Sequence, residues 1–325
     1  MKLSNANYDI VKIVLSLMVV AIHSVGTPLI YPWVRTAVPL FFILSSYFFF
    51  RSIDGKDYSD QKKSLVSFVK RNLRLYMFWF ICLFPITLEK RQYFSDGYIT
   101  GLKTILKFGL FNSTFVASWF IMALVLATII IFLLSYVLPE RFIIILSLFA
   151  NCYSVLHSSY LPFLGGIDLF SIYRRLFIDP SLNFTVALFW VATGRWFVHN
   201  NIKIKHCYIG IAVSVLLLFA EWGVLFKLTG SFNNDCYFML IPVCIYAFGL
   251  IKSIKPHFNN SFVDYRKMTA ITFASHGSII YLLNKYIPMP GVIRFIAVVI
   301  ICFVLGKFIL WLEKYKPLKW LKYSH

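Results

Sequence analysis

Hydrophobic positions follow one another along this chain in long runs, and short polar joints separate the runs. A helix needs about 20 mainly apolar residues to cross a hydrocarbon layer of about 30 Å, and most of the runs approach that length. The pattern therefore predicts an all-α polytopic membrane protein with about ten transmembrane helices. The predicted spans are 8–26, 34–51, 73–88, 115–137, 141–157, 181–198, 207–227, 236–252, 268–285 and 292–313.

The first run, from Tyr8 to Gly26, carries Asp9, Lys12, Ser16 and His23 among mainly apolar residues. A helix turns by about 100° per residue, so the steps from Lys12 to His23 return to within about 20° of the starting direction. Asp9 and Ser16 fall within about 60° of the same line. The four side chains are therefore predicted to form one stripe, in which Lys12 and His23 lie about 16 Å apart along the helix axis.

The composition agrees with a membrane protein, since 59% of residues are hydrophobic, 14% are charged and the mean hydropathy is +0.75. One soluble core of 325 residues could not bury so much apolar surface. The net charge of +19 is compatible with nucleic-acid binding, but the Lys and Arg residues cluster in the joints, without a groove-reading motif. We therefore expect membrane lipids, and not nucleic acid, to be the partners of this charge.

The distribution of Lys and Arg also predicts an orientation in the membrane. With the N terminus inside, the inner segments hold about 20 of these residues and the outer segments about 10, which places both termini in the cytoplasm. A signal peptide is the alternative for residues 1–26, but Lys12 and His23 interrupt its apolar core and no small-x-small cleavage site follows. We expect a single transmembrane domain over residues 1–325, with no soluble extracytoplasmic domain.

The six cysteines are scattered, mostly within the predicted spans, and they form neither a C-x-x-C pair nor a Cys/His spacing typical of metal sites. We therefore interpret them as structural thiols and predict no metal site.

Several motifs identify a family. The first span has a basic residue and a His eleven positions later, and the second contains the stretch Val-Pro-Leu-Phe-Phe-Ile-Leu-Ser-Ser-Tyr at 38–47. Together they resemble the membrane-bound acyltransferase 3 family, the acetylases of bacterial surface glycans. The similarity continues at 70–79, 118–124, 189–195 and 275–276, and it covers nearly the whole chain. It implies a multi-pass protein of the bacterial cytoplasmic (inner) membrane.

Two positions depart from the family pattern. The usual Arg of the first helix is Lys12, which keeps the charge but lacks the planar fork that binds phosphate through two hydrogen bonds. The usual Ser-Gly of the second helix is Ser45-Ser46, so a close backbone approach is less favoured at Ser46 than it would be at a glycine.

The resemblance implies an O-acetyltransferase that moves an acetyl group from cytoplasmic acetyl-CoA to a hydroxyl of an envelope polysaccharide or its lipid-linked precursor. His23 is the predicted catalytic residue, because a neutral imidazole near pH 7 can act as a base or carry the acetyl group. The orientation places Lys12 near the cytoplasmic side, where it would help to bind the donor, and His23 nearer the outer leaflet. The alternatives are a histidine at the membrane interface and a lysine that reaches the lipid surface.

Glu221 is the one carboxylate inside a later predicted span, at a depth close to that of His23. We predict that it faces the bundle interior and pairs with His23 or binds sugar hydroxyls, and the alternative is a structural contact between helices. Arg71 and Arg74 are predicted to bind the phosphates of CoA, although the positive-inside rule also explains basic residues at this place.

Trp119 and His276 are predicted to bind the acceptor substrate. Trp119 can stack on a sugar, or it can anchor a helix at the membrane interface. His276 is similar to a recurrent histidine of the family, and the alternative is a histidine with satisfied hydrogen bonds in the core.

Two other classes of function stay open from the sequence. One is a transporter or flippase of a lipid-linked sugar, in which Lys12, His23 and Glu221 would relay protons or ions. The inverted repeats typical of transporters are not visible in the sequence. The other is a membrane module that acts on amino acids or peptidoglycan precursors without acetylation.

Overall fold

The structure is a computed structural model that describes residues 6–164, 170–254 and 262–325. Within these ranges the chain consists of helices and connecting loops, without a β-strand. The α-helices are α1 (Ala6–Ser24), α2 (Tyr31–Val34), α3 (Ala37–Ile53), α4 (Tyr58–Arg91), α5 (Tyr98–Phe111), α6 (Ser118–Leu134), α7 (Glu140–Val155), α8 (Ser171–Phe177), α9 (Phe184–Trp196), α10 (Ile204–Thr229), α11 (Leu240–Ser253), α12 (Val263–Tyr286) and α13 (Gly291–Leu312). The prediction of an all-α fold is confirmed.

Fewer helices are long and apolar enough to cross a membrane than the sequence pattern predicts. In the described ranges there are five such segments, Asn7–Ser24, Pro28–Ile53, Glu140–Phe163, Ile204–Thr229 and Gly291–Leu312. A sixth results if Ser171–Leu182 and Phe184–Trp196 form one span bent by 48°. The helices α6 and α11 are apolar but shorter. The count of about ten spans and the two cytoplasmic termini stay predictions.

Two helices present wide apolar surfaces to the surroundings. On α13, Ile293 and Ile300 are exposed, and on α10 Leu216 is 72% exposed. Contiguous apolar surface of this extent is typical of contact with lipid, because water would make such exposure costly. The chain is therefore a membrane protein whose outer surface includes α10 and α13.

The helices α3 and α9 pack closely through a glycine. A Cβ atom at Gly194 of α9 would collide with the hydroxyl of Ser46 and with the carbonyl oxygen of Ile43, both on α3. Ser46 itself is fully buried. The close approach that a serine favours less than a glycine therefore does occur at Ser46, because the facing helix provides the residue without a side chain.

The C-terminal end of α1 is fixed by α13. Arg294 donates from Nε and Nη2 to the carbonyl oxygen of Ser24, at 3.1 and 2.8 Å. The last carbonyl groups of a helix have no partner within it, so a guanidinium here satisfies one of them. A Cβ at Gly291 would collide with the carbonyl of Val25, so the two ends lie in close contact. This anchor holds the turn of α1 that includes His23.

Candidate functional site

Two cavities lie at the two ends of the polar stripe of α1. The first, here called the basic cavity, has an empty volume of about 1690 Å³. Its charged lining comes from α1, α4 and α12, and the residues are Asp9, Lys12, Arg71, Arg266 and Lys267. Four cationic side chains therefore surround this space, with one carboxylate among them.

The second space, here called the histidine cavity, has an empty volume of about 770 Å³. Most of its lining is aromatic or aliphatic, and a few polar side chains interrupt it. The polar and aromatic residues relevant to function are His23, Arg35, Trp119, Asn151, Asp235 and Tyr237. A mainly apolar cavity with a few placed polar groups is typical of a small-molecule site.

Three phenylalanines, here called the aromatic wall, stand where the two cavities meet: Phe41, Phe120 and Phe273. Phe120 and Phe273 line both cavities, and Phe41 lines the basic cavity. The ring centroids of Phe120 and Phe273 are 5.1 Å apart, and Phe41 lies 6.1 and 6.0 Å from them. Rings at these distances are in contact, so the wall separates the cavities by the thickness of an aromatic layer.

The predicted stripe of α1 divides between the two cavities. Asp9 and Lys12 line the basic cavity, and His23 lines the histidine cavity about 16 Å away along the helix. Ser16 differs from the prediction, because it is buried and donates to the carbonyl oxygen of Ile13 at 2.8 Å. The stripe therefore borders a cavity at each end and has a structural middle.

The two predicted arginines of α4 have different surroundings. Arg71 lines the basic cavity and lies over the ring of Phe68 at 5.5 Å. Arg74 is absent from the described lining, and its guanidinium lies over the ring of Tyr323 at 5.6 Å. Arg74 follows Arg71 by three positions, which places it only about 60° further around the helix, but its side chain packs against Tyr323 of the C-terminal segment and does not line the cavity. Arg71 is thus placed to bind an anionic ligand in the basic cavity, and Arg74 is not.

The cations of the basic cavity are only partly neutralised. Arg266 lies 3.8 Å from the carboxylate of Asp9, which is almost fully buried. Lys267 lies 3.6 Å from Glu313. Burial and the ammonium of Lys267 lower the pKa of His325, which also lines the cavity, so this imidazole is neutral at pH 7. No carboxylate is paired with Lys12 or Arg71 in the described residues, so the cavity keeps an excess of positive charge.

His23 has a second histidine beside it. The ring centroids of His23 and His276 are 5.3 Å apart. His23 is exposed to the cavity, whereas His276 is fully buried and is absent from the described lining. The structure therefore does not support direct binding of substrate by His276, because the side chain stands behind His23 and a ligand cannot reach it.

The hydrogen bonds of His276 define its protonation. Its Nδ1 lies 3.1 Å from the carbonyl oxygen of Thr272 and 2.8 Å from that of Phe273. Carbonyl oxygens only accept, so Nδ1 holds the hydrogen of the neutral ring. Its Nε2 is buried and has no hydrogen-bond partner within the described structure. A free acceptor nitrogen therefore lies next to the imidazole of His23.

At another part of the histidine cavity, an ion pair holds Arg35 in place. Its Nη2 lies 2.7 Å from Oδ1 of Asp235, and its guanidinium stacks over the ring of Tyr31 at 4.4 Å.

Trp119 is half-buried and lines the histidine cavity beside Phe42. This position is the one that its predicted role in substrate binding requires. The indole ring of Trp119 can therefore stack on a ligand in this cavity.

Glu221 does not pair with His23, contrary to the prediction. Its Oε1 accepts from the hydroxyl of Tyr160 at 2.7 Å and from the backbone N–H of Phe238 at 2.8 Å. Its Oε2 accepts from the N–H of Met239 at 2.8 Å. These N–H groups precede α11 and have no partner within that helix, so Glu221 caps it. Glu221 lines a separate groove beside α10, outside the histidine cavity.

Metal binding has no support among the residues described: no group of three or more His, Cys, Asp or Glu side chains could hold an ion there. All six cysteines are free thiols.

The sequence patterns missed four charged residues of these cavities, Arg35, Asp235, Arg266 and Lys267, and also the polar residues Asn151 and Tyr237. Arg266 and Lys267 stand just before the predicted span 268–285, where the positive-inside rule alone explains basic residues. A spacing could have shown their role, because Arg266 precedes His276 by ten positions, much as Lys12 precedes His23. Nothing in the local sequence marks Asp235 as the partner of Arg35, since the pair is 200 residues apart.

Comparisons with known proteins bear on this arrangement. A family model described as "Acyltransferase domain" matches residues 5–312. The chain is also similar to a "Serine/alanine racemase" of Enterococcus gallinarum, with 24% identity over 286 residues, which is 78% of this chain and 38% of the relative. An "Amino-acid racemase" of Enterococcus faecalis is 22% identical over an alignment of 342 positions, which covers 94% of this chain and 46% of the relative. The chain thus spans less than half the length of these curated relatives. No solved structure matches.

Proposed function

This chain belongs to the acyltransferase 3 family, as its motifs predicted, and we propose that it is an O-acetyltransferase of the bacterial inner membrane. It moves an acetyl group from acetyl-CoA to a hydroxyl of an envelope polysaccharide or its lipid-linked precursor. The main support is the meeting of a cationic cavity and a histidine cavity at one aromatic wall. A phosphate-bearing donor and a hydroxyl-bearing acceptor need two such spaces in contact.

The basic cavity is the proposed donor site. CoA carries several phosphates, and guanidinium groups bind phosphate oxygens through paired, charge-assisted hydrogen bonds. Arg71 and Arg266 provide such groups, and Lys12 and Lys267 add compact charges beside them. With the phosphates held there, the thioester end of the donor would point to the aromatic wall, and movement of these rings would let the acetyl group reach His23.

His23 is the proposed base. It removes the proton of the acceptor hydroxyl while the hydroxyl oxygen attacks the thioester carbonyl. The new C–O bond forms, the C–S bond breaks, and the proton passes from His23 to the departing thiolate of CoA. In the other route, a nitrogen of His23 attacks the thioester carbonyl, the C–S bond breaks and the CoA thiolate leaves. The acceptor hydroxyl then takes the acetyl group from the imidazole nitrogen, and its proton passes to the thiolate. Both routes need the imidazole open to the cavity, as it is in the structure.

His276 is a proposed positioning residue for His23. When His23 takes a proton, both of its nitrogens become donors, and the free Nε2 of His276 is the adjacent acceptor. Replacement by a ring of similar size, His276→Phe, keeps the packing but removes this acceptor. We include this variant in the test below and expect a lower kcat, with the KM values of donor and acceptor retained.

The function is tested in cells that lack the gene. Complementation with the native chain should restore O-acetyl groups on the surface polysaccharide, measured by NMR of the purified glycan. The His23→Ala variant should lose transfer by about 10²- to 10⁴-fold, the usual contribution of a positioned base. His199→Ala is the matched control, because His199 is an exposed histidine outside the histidine cavity.

Two outcomes would contradict the proposal. Full acetylation by His23→Ala, at native protein levels, would exclude the imidazole mechanism. Loss of the whole glycan from the surface, instead of its acetyl groups, would favour the alternative of a transporter or flippase that uses Lys12 and His23.

The names of the two relatives favour a second candidate, which is action on an amino acid. The relatives are named as racemases, and this chain covers 38% and 46% of them. The test is incubation of the purified chain with L-serine or L-alanine, followed by chiral chromatography. Formation of the D-enantiomer would support this candidate. Its absence, together with acetyl transfer to a glycan, would assign the chain to O-acetylation.

A further inference from the structure

Three polar atoms of the histidine cavity lack hydrogen-bond partners in the described structure. They are Nε of Arg35, Oδ1 of Asn151 and the hydroxyl of Tyr237. Asn151 and Tyr237 are each only 1% exposed. Buried polar groups in proteins are nearly always paired, and each exception requires an explanation. Three exceptions in the lining of one cavity indicate that a bound ligand completes their hydrogen bonds.

The chemistry of the three atoms describes that ligand. Nε of Arg35 only donates, and the hydroxyl of Tyr237 both donates and accepts. The amide of Asn151 is oriented by its Nδ2, which donates to the carbonyl oxygen of Val186 at 3.4 Å, so Oδ1 is left to accept. A ligand must therefore both donate and accept hydrogen bonds, and sugar hydroxyls do both. The half-buried ring of Trp119 provides an apolar face for the sugar in the same cavity.

The charges of the cavity disfavour an acidic ligand group. The guanidinium of Arg35 is already paired with Asp235 at 2.7 Å, and it also contacts the hydroxyl of Tyr31 and the carbonyl of Asn233. A carboxylate or phosphate would face the carboxylate of Asp235 and the amide oxygen of Asn151, with no uncompensated cation in the described lining. Like charges at short distance repel strongly in a cavity of low dielectric constant.

We propose that Arg35, Asn151 and Tyr237 form the acceptor subsite, and that it selects a neutral, hydroxyl-rich sugar ring over an acidic sugar. This inference rests on the proposed function, because it names the acceptor class of the same reaction. The ion pair of Arg35 and Asp235 sets the preference: it orients Nε towards the ligand and cancels the charge that would attract an anion.

The test measures binding in the absence of acetyl-CoA, with the full chain in lipid nanodiscs. The probes are tritiated hexyl β-D-glucopyranoside and hexyl β-D-galactopyranoside, each compared with its uronide, which carries a carboxylate in place of the C6 hydroxymethyl group. Equilibrium dialysis should show that at least one neutral glycoside binds about tenfold more tightly than its uronide. Equal or tighter binding of the uronides, or no binding of any probe, would overturn the proposal.

Three variants test which residues set the preference for a neutral glycoside over its uronide. Tyr237→Phe removes one hydroxyl and should weaken binding of the neutral glycoside by about two- to tenfold. Tyr76→Phe is the control, because its hydroxyl is 2.7 Å from Thr114 and it lines neither cavity. Asp235→Asn leaves Arg35 uncompensated and should tighten binding of the uronide by about tenfold. An unchanged response to Asp235→Asn or Tyr237→Phe would contradict the subsite.

The binding assay separates this proposal from the proposed function. If neutral glycosides bind as expected but no acetyl group is transferred to a glycan, the subsite stands and the acetyltransferase assignment fails. If acetyl transfer occurs without preference between neutral and acidic acceptors, the function stands and the subsite fails.

Discussion

The basic cavity and the histidine cavity share α1 and the aromatic wall but differ in electrostatics. In the basic cavity four cationic side chains exceed the carboxylates, whereas in the histidine cavity Arg35 is paired with Asp235. An imidazole that must accept a proton is hindered by nearby uncompensated cations. Under the proposed function, separation along about 16 Å of helix would let one chain bind an anionic donor and keep a usable base.

Two adjacent helices repeat this division. On α1, Lys12 precedes His23, and on α12, Arg266 precedes His276, and the two helices pack against each other. In both helices the basic residue borders the basic cavity, and the two histidines are in contact at the other end. The two helices therefore run in the same direction. Each contributes a basic residue to the basic cavity and a histidine to the pair at the other end.

The difference between the two cavities predicts that a substitution in the basic cavity changes the binding of the donor and leaves the chemical step unchanged. Arg71→Ala should raise the KM for acetyl-CoA by about 10- to 100-fold, since a hydrogen bond to a charged group contributes about 1.5–3 kcal/mol. The value of kcat should change little, because Arg71 lies beyond the aromatic wall from His23. Initial rates of acetyl transfer by the protein in nanodiscs, at varied acetyl-CoA, measure both constants.

Arg74→Ala is the matched control for this experiment, because Arg74 is on the same helix but outside the described lining of the cavity. We expect its KM for acetyl-CoA to stay within about twofold of the native value, as is usual for exposed charges. Equal effects of the two substitutions would show that the general positive charge of α4 matters and that the basic cavity is not the donor site.

A smaller side chain in the aromatic wall is predicted to change which acyl groups the protein transfers. Phe120→Leu removes part of a ring that borders both cavities. The ratio of kcat/KM for butyryl-CoA to that for acetyl-CoA should rise by up to about tenfold, since a methylene in a fitted pocket is worth about 1–3 kcal/mol. Initial rates with the two donors, in the same nanodisc assay, measure this ratio.

Phe132→Leu is the control for the wall, because it makes the same change at a buried position of α6 that lines neither cavity. Its ratio of butyryl to acetyl transfer should equal that of the native chain. If Phe120→Leu also leaves the ratio unchanged, the wall does not limit the size of the acyl group, and the acetyl group reaches His23 by another route.

Sequence reasoning was most reliable where the feature lies on one helix. The helical period placed Lys12 and His23 on one stripe, and the structure gives each end its own cavity. The same period cannot show which helix faces which, so it missed Arg266 and the pair of Arg35 with Asp235. Such contacts join residues far apart in the chain, and only packing determines them.

The prediction for Glu221 failed for a related reason. Depth in a span indicates how far a residue lies across the membrane, but it does not show which side of the helix the residue occupies. Glu221 lies on the side of α10 that meets the start of α11, where unpaired backbone N–H groups need an acceptor. A carboxylate inside a span therefore correctly indicated that polar groups lie beside it. These groups are the N–H groups at the start of a helix, so the role of Glu221 is structural.

The smallest expected effect is that of Glu221→Gln, which should leave both cavities unchanged. A glutamine has one carbonyl oxygen, so it cannot accept from the N–H groups of Phe238 and Met239 with two separate oxygens as the carboxylate does. Loss of such a cap costs about 1 kcal/mol, and a thermal unfolding assay in nanodiscs should show a Tm lower by a few degrees. Transfer per folded molecule should stay within about twofold, whereas a loss comparable to that of His23→Ala with the fold intact would return Glu221 to the histidine cavity.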